Sequence, residues 1–214
     1  MKRPLWISVT IIALAIGLIV LPASALGIPP FVNCTFVAPG NTAPTGWYNV
    51  PVTIQFQDIG WADPIDHGTY AITEVLCSRN GGTPWSVVPT STLSLHLDGN
   101  YYVQAQGTWG GFAYPLSFGI DRTAPRARCD ARPHYLTSAT ISISATDALS
   151  GVSAISYQLD NHAAVTAAVP AETATLTFSV GSGRHVVRWK AIDVANNASR
   201  WGSARFTVAL KHRH

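Results

Sequence analysis

Three aspartates stand at the starts of turn-like segments. Asp121 lies in Ile120-Asp-Arg-Thr-Ala-Pro125, Asp147 opens Asp-Ala-Leu-Ser-Gly151, and Asp193 opens Asp-Val-Ala-Asn-Asn197. Carboxylate oxygens are ligands for hard cations such as calcium, and Ser150 or backbone carbonyls would complete such a shell. An aspartate at a loop start also accepts hydrogen bonds from the N–H groups of its own loop and then needs no ion. The second use is favoured here, because the chain has no dense Asp-x-Asp-x-Asp run. Arg122 and Arg126 flank the joint that Asp121 opens. An arginine is always charged, so these two are the expected counter-charges, with no cofactor required. Calcium at this place is the alternative.

A second group combines aromatics with acids. Trp61, Asp63, Asp66 and His67 follow Asp58 within one loop, and Trp109 lies in another. Exposed tryptophans beside carboxylates can stack on sugar rings and bind their hydroxyls. The competing use is burial, since tryptophan is highly buried on average. Nothing in the chain advertises catalysis. There is no Gly-x-Ser-x-Gly elbow and no His-Glu-x-x-His, and the seven histidines are scattered. Glu74 and Glu172 are the only glutamates, and neither suggests a paired-carboxylate hydrolase. The chain reads as a non-enzyme.

These residues must be positioned by strands. Ile141, Ile143 and Ala145 alternate with Thr140, Ser142 and Ser144. Leu176, Phe178 and Val180 form a second apolar set, and Val187, Trp189 and Ala191 a third, opposite Arg188 and Lys190. Period-two alternation marks half-buried strands. Gly181-Ser-Gly183 between the last two sets predicts a tight hairpin, and Asp98-Gly99 predicts another turn. Earlier, alternation predicts strands at 32–37, 52–56, 93–97, 101–105 and 116–120, with a weaker one at 69–77. No helical period is found outside the N-terminus.

The two halves match. Tyr48-Asn-Val-Pro-Val-Thr-Ile aligns with Tyr135-Leu-Thr-Ser-Ala-Thr-Ile, Thr92-Leu-Ser-Leu with Thr175-Leu-Thr-Phe, and Asp98-Gly-Asn-Tyr with Ser182-Gly-Arg-His. The offsets are about 83 to 88 residues, a repeat of domain size. The fold expected is all-β: two tandem immunoglobulin-like β-sandwiches of about seven strands each, over about 30–121 and 122–210. The second copy resembles the bacterial immunoglobulin-like repeats found in tandem in secreted and cell-surface proteins. The resemblance rests on Ala145-Thr-Asp147, Leu149-Ser-Gly-Val152, Tyr157-Gln-Leu-Asp160, Gly183-Arg-His-Val-Val187 and Ala191-Ile-Asp-Val-Ala-Asn-Asn197. Asn196 departs from it, standing where the pattern has glycine. The first copy shares the Gly46–Ile54 opening and the Ile-Asp-x-Thr-Ala-Pro exit but lacks the Asp-x-x-Ser-Gly loop.

In such a sandwich the loop after the second strand and the loop after the sixth lie at one end. The short joint enters at that end, so Asp121, Asp147 and Asp193 are expected near one another. Cys34 shares a strand face with Val32 and Phe36, and Cys77 ends a strand of the facing sheet. A Cys34–Cys77 disulfide within the first copy is expected, with Cys129 left free.

The N-terminus reads as an export signal. Met1-Lys2-Arg3 precedes an apolar run from Ile7 to Leu21 and an Ala-Ser-Ala25 cleavage site, so residues 1–25 are expected to be removed. An uncleaved membrane anchor is the alternative. The whole chain carries a formal charge of +3, and loss of one lysine and one arginine with the signal leaves +1. A near-neutral chain without a basic run argues against nucleic acid. The expected protein is secreted or displayed at the bacterial cell surface, where it binds, adheres or spaces. Its partner there would be a protein or glycan, and membrane contact would follow only if the signal is kept. The alternative is a carbohydrate-binding module using Trp61 and Trp109.

Overall fold

A computed structural model describes residues 32–38, 45–58, 71–87, 91–108 and 115–209. The described residues form sixteen strands and no helix. Eight of them build two facing sheets from the first half of the chain. β1 (Val32–Ala38), β3 (Val52–Asp58) and β6 (Thr92–Leu95) pair in the order β1-β3-β6. β2 (Trp47–Tyr48), β4 (Ile72–Arg79), β5 (Trp85–Val87), β7 (Gly99–Gly107) and β8 (Leu116–Ile120) pair as β2-β8-β7-β4-β5. The second half repeats the plan. β9 (Arg126–Cys129), β11 (Ala139–Thr146) and β14 (Thr173–Val180) form one sheet, ordered β14-β11-β9. β10 (His134–Tyr135), β12 (Val152–Leu159), β13 (Val165–Ala171), β15 (Gly183–Asp193) and β16 (Gly202–Val208) form the other, ordered β10-β16-β15-β12-β13. These are two immunoglobulin-like sandwiches in tandem.

The seven-strand frame is present, with its first strand broken in two. β1 and β9 pair antiparallel in the smaller sheet, while β2 and β10 run parallel to the last strand of the larger one. In the second sandwich Asp130 to Pro133 lie between the pieces, where the chain changes sheets; each sandwich counts eight strands among the described residues.

Alternation was a sound guide to the core. Val52, Ile54 and Phe56 of β3 are buried, as are Ile141 and Ile143 of β11 and Val187 and Ala191 of β15. Each buried Val or Ile contributes about 1.5–3 kcal/mol relative to exposure. The two cores are separate clusters, one per sandwich.

The turns differ from the sequence expectation. Gly181-Ser-Gly183 does not close a hairpin, because β14 and β15 belong to different sheets. Asp98-Gly99 likewise carries the chain from β6 across to β7. Both are sheet-switching corners. Gly99 and Gly183 hold φ of 153° and 145°, which a residue with a Cβ rarely adopts. The corner is secured in each copy by a bond four residues back. The Tyr101 hydroxyl donates to Leu97 O at 2.7 Å, and His185 Nε2 lies 3.1 Å from Gly181 O. His185 thus occupies the place of a corner tyrosine. Its Nδ1 lies 2.9 Å from Asp160 Oδ2. Burial pushes the Asp160 carboxyl up, but hydrogen bonds from His185 and the Val186 N–H outweigh it and hold the group below its ordinary value.

The expected Cys34–Cys77 disulfide is not present: both residues are free thiols, as is Cys129, which was expected to be free. Both residues belong to the first core, from facing sheets. A disulfide needs Cα atoms within about 7 Å and Cβ vectors aimed at each other, so a shared interior is not enough. Burial pushes both thiols up to about 11.

Candidate functional site

The joint between the sandwiches carries the densest chemistry among the described residues. Asp121 directly follows β8, Asp147 follows β11, and Asp193 ends β15. All three are buried, at 0%, 9% and 1% exposure. One carboxylate oxygen from each lies within 4.8 Å of the other two. Two unit charges at that distance repel by about 3–4 kcal/mol at an effective dielectric of about 20, so the cluster needs compensation.

Most of it comes from N–H groups. Asp147 Oδ1 accepts from the backbone N–H of Leu149 (3.1 Å) and Gly151 (2.8 Å). Asp193 Oδ1 accepts from Asn197 N–H at 2.7 Å, and its Oδ2 from Asn197 Nδ2 at 2.8 Å. Asp121 Oδ1 accepts from Thr123 N–H at 3.0 Å, and Oδ2 from Ser150 N–H at 3.1 Å. Each aspartate therefore organises a loop. The bonds also cross the joint. Ser150 belongs to the second sandwich, and Asn197 Nδ2 donates again to Asp121 O at 2.8 Å. The β15–β16 loop that supplies Asn197 turns at Asn196, whose φ is 70°. That is the left-handed region, which glycine or asparagine adopts at least cost. The departure at Asn196 from the glycine of the repeat pattern thus keeps the loop's shape.

The arginines do not serve as expected. Arg122 Nε binds Asp98 Oδ1 at 2.7 Å, on the corner between β6 and β7, and Thr123 Oγ1 donates to Asp98 Oδ2 at 3.1 Å. Arg126 forms no ion pair among the described residues. Arg122 instead clamps the joint to the first sandwich, while Asp121 clamps it to the second. Sequence reasoning missed Asp98 because it lies 24 residues upstream, in a corner that reads as an ordinary turn. The same reasoning missed Asn197 as the residue tying Asp193 to the joint.

Without a cationic side chain, Asp193 stays strained electrostatically. Burial pushes its carboxyl above the ordinary value and the charges of Asp121 and Asp147 add to this, against the lowering effect of the Asn197 bonds. The donor set is all oxygen. A cation centred among three oxygens no more than 4.8 Å apart would sit within about 2.8 Å of each, close to the calcium–oxygen range of about 2.3–2.6 Å. Asp147 Oδ2 accepts no hydrogen bond among the described residues, which leaves one oxygen fully available. Asp121, Asp147 and Asp193 are the residues that could hold a hard divalent ion.

The other expected site is not open to description. Trp61, Asp63, Asp66, His67 and Trp109 lie outside the described residues, as do residues 1–25. Among the described residues, no helix is long and apolar enough to cross a membrane.

No protein-family model matches the chain, and no curated protein matches it. Solved structures similar to it include the fibronectin(III)-like modules of Clostridium thermocellum CbhA, 15% identical with a TM-score of 0.36, covering 85% of this chain and 98% of that one. A two-domain fibronectin type-III segment of chicken tenascin is 10% identical with a TM-score of 0.37, covering 84% and 99%. The FN1–FN3 domains of chicken CNTN1 are 16% identical with a TM-score of 0.30, covering 85% and 69%. At such scores the fold rests on the strand pairings described above and not on these similarities.

Proposed function

We propose that this chain is an exported, non-enzymatic pair of immunoglobulin-like modules that acts at the bacterial cell surface as a stiff spacer carrying a binding face. The clamped joint is the observation that carries this reading. Five residues, Asp121 to Pro125, separate β8 from β9. A linker so short still bends freely unless it is tied, and this one is tied to both sides. Arg122 and Thr123 hold it to Asp98 of the first sandwich, and Asp121 holds it to Ser150 and Asn197 of the second. A protein whose task is only to connect two ligands loosely would gain nothing from four ordered polar contacts at its waist. Calcium, which is plentiful outside cells, would occupy the three-carboxylate cluster and stiffen the joint further. The export signal supports the location, and the resemblance of the second copy to surface repeats agrees with it.

Two measurements test the reading together. Protease treatment of intact cells should remove the protein while leaving cytoplasmic markers whole. Small-angle scattering of the purified mature chain should give one elongated shape with a narrow distribution of internal distances. Protection from protease on intact cells, or a broad distribution typical of freely jointed modules, would reject it.

A further inference from the structure

The charge of the chain is divided between its halves. Residues 26–121 contain one basic side chain, Arg79, against six acidic ones, a net of −5. Residues 122–214 contain eleven basic against five acidic, a net of +6. The near-neutral total hides a polar molecule.

The positive charge of the second sandwich is ordered on one face. Val187 and Ala191 of β15 point into the core, so Arg184, Val186, Arg188 and Lys190 point outward from the five-stranded sheet. On β16 Arg205 stands directly opposite Val186 and shares its face. Four cations therefore form a row. At about 3.3 Å per residue, β15 spaces alternate side chains by about 6–7 Å, and the row from Arg184 to Lys190 is about 20 Å long. Arg184, Arg188 and Arg205 are exposed. None of the four pairs with a carboxylate among the described residues. The neighbours they face on β12 and β16 are Gln158, Ser156, Ser203 and Thr207, all neutral. Four like charges kept this close without counter-charge lower the stability of the sheet, which is understandable if a ligand supplies the missing anions.

One end of the row carries an aromatic platform. Trp201 precedes β16 and is 48% exposed, and Lys190 Nζ lies 5.3 Å from the centre of its ring. At the other end a hollow of about 350 Å³ is lined by His134, Arg184, Arg205 and Thr207. The row is longer than a small anion.

We infer that this face of the second sandwich binds a linear anionic polysaccharide, with the arginines and Lys190 on its carboxylates or other acidic groups and Trp201 stacked on a sugar ring. The ring distinguishes this occupant from a bare polyanion, since an exposed tryptophan offers a flat apolar surface to a sugar as well as an edge for polar contact. The inference supplies the ligand class of the binding face in the proposed function. It stands apart from the joint, which can be rigid whether or not this face binds.

Affinity electrophoresis and calorimetry of the whole mature chain against alginate test it, with neutral dextran, duplex DNA and phosphatidylglycerol vesicles as comparison probes. The wild type should bind alginate and not dextran, with affinity falling as salt rises. Arg184→Glu with Arg205→Glu should weaken alginate binding at least about tenfold. Arg126→Glu with Arg128→Glu makes the same change in net charge on the opposite sheet and should leave binding within about twofold of the wild type. Trp201→Ala should weaken alginate binding and leave any DNA or vesicle binding unchanged. Circular dichroism should show all variants folded, since each altered side chain is exposed. No binding of alginate at low salt would overturn the inference. So would equal weakening by both charge-reversal pairs, or DNA or vesicle binding as tight as alginate with Trp201→Ala neutral throughout. Any of these failures leaves the scattering result on the joint unaffected.

Discussion

Replacing Asn197 by alanine should unlock the joint. The Asn197 side chain donates twice, to the Asp121 carbonyl and to Asp193 Oδ2, each at 2.8 Å. Both acceptors belong to residues with no more than 1% exposure. Losing the donor leaves a neutral and a charged acceptor poorly satisfied, at about 1–3 kcal/mol each. The charge on Asp193 also loses one of the bonds that offset its neighbours. The expected loss is about 2–5 kcal/mol in the second sandwich. For a domain of this size each kcal/mol lowers the melting midpoint by about 4–8 °C, so a fall of at least about 8 °C is expected. Differential scanning calorimetry of the full chain reads it, with the first sandwich's transition as internal reference. Asn161→Ala alters an exposed turn residue and should move the midpoint by under about 2 °C. A fall of less than about 3 °C in Asn197→Ala would show that the joint does not depend on this side chain, and the clamp as described would be wrong.

Other outcomes follow from the same structure. Asp193 has a folded-state pKa above its unfolded value of about 3.9, so the fold favours its protonated form; its stabilising share is full below that value and is lost as pH rises through the folded value. In chelator, the midpoint of the wild type should therefore drop relative to Asp193→Asn as pH is raised from about 4 to neutrality; parallel curves would contradict this. Gly202→Ala would drive a Cβ into the Trp189 ring, and Gly119→Ala one into the Trp47 ring. Each should cost about 1–3 kcal/mol by thermal melting, because the half-buried indole must shift to admit the methyl group. Cys34 and Cys77, with thiols raised to about 11, should react with a thiol reagent at neutral pH only as the protein unfolds; rapid modification of the native chain would mean that the first core is open.

The parts of the fold that could be read in the sequence are those written in short-range alternation. TISISA, TLTFSV and HVVRWKA each show a strand facing a core, and the offset between the halves shows that the plan is used twice. β13 was invisible because it is an edge strand with exposure on both faces and Pro170 within it. β5 has only three residues. The Gly181-Ser-Gly183 corner looked like a hairpin because a glycine-rich turn is the same locally whether the next strand pairs with its predecessor or crosses to the other sheet. That choice is made by distant partners. The convergence of Asp121, Asp147 and Asp193 was legible, since the fold fixes which loops share an end. The route taken by Arg122 was not, since Asp98 is far off in sequence. The basic row on β15 and β16 was hidden by counting charge over the whole chain, where the acidic first half cancels it. A count by halves would have revealed it.

The central claim is that the two sandwiches move as one body because the joint is held from both sides. Residual dipolar couplings of backbone N–H groups measure this directly, by giving each sandwich its own alignment tensor. The mature chain should show the same tensor magnitude in both halves, in chelator and more closely in millimolar calcium, and Asp121→Ala should make the tensors diverge. Tensors that already differ in magnitude in the wild type with calcium present would contradict the account.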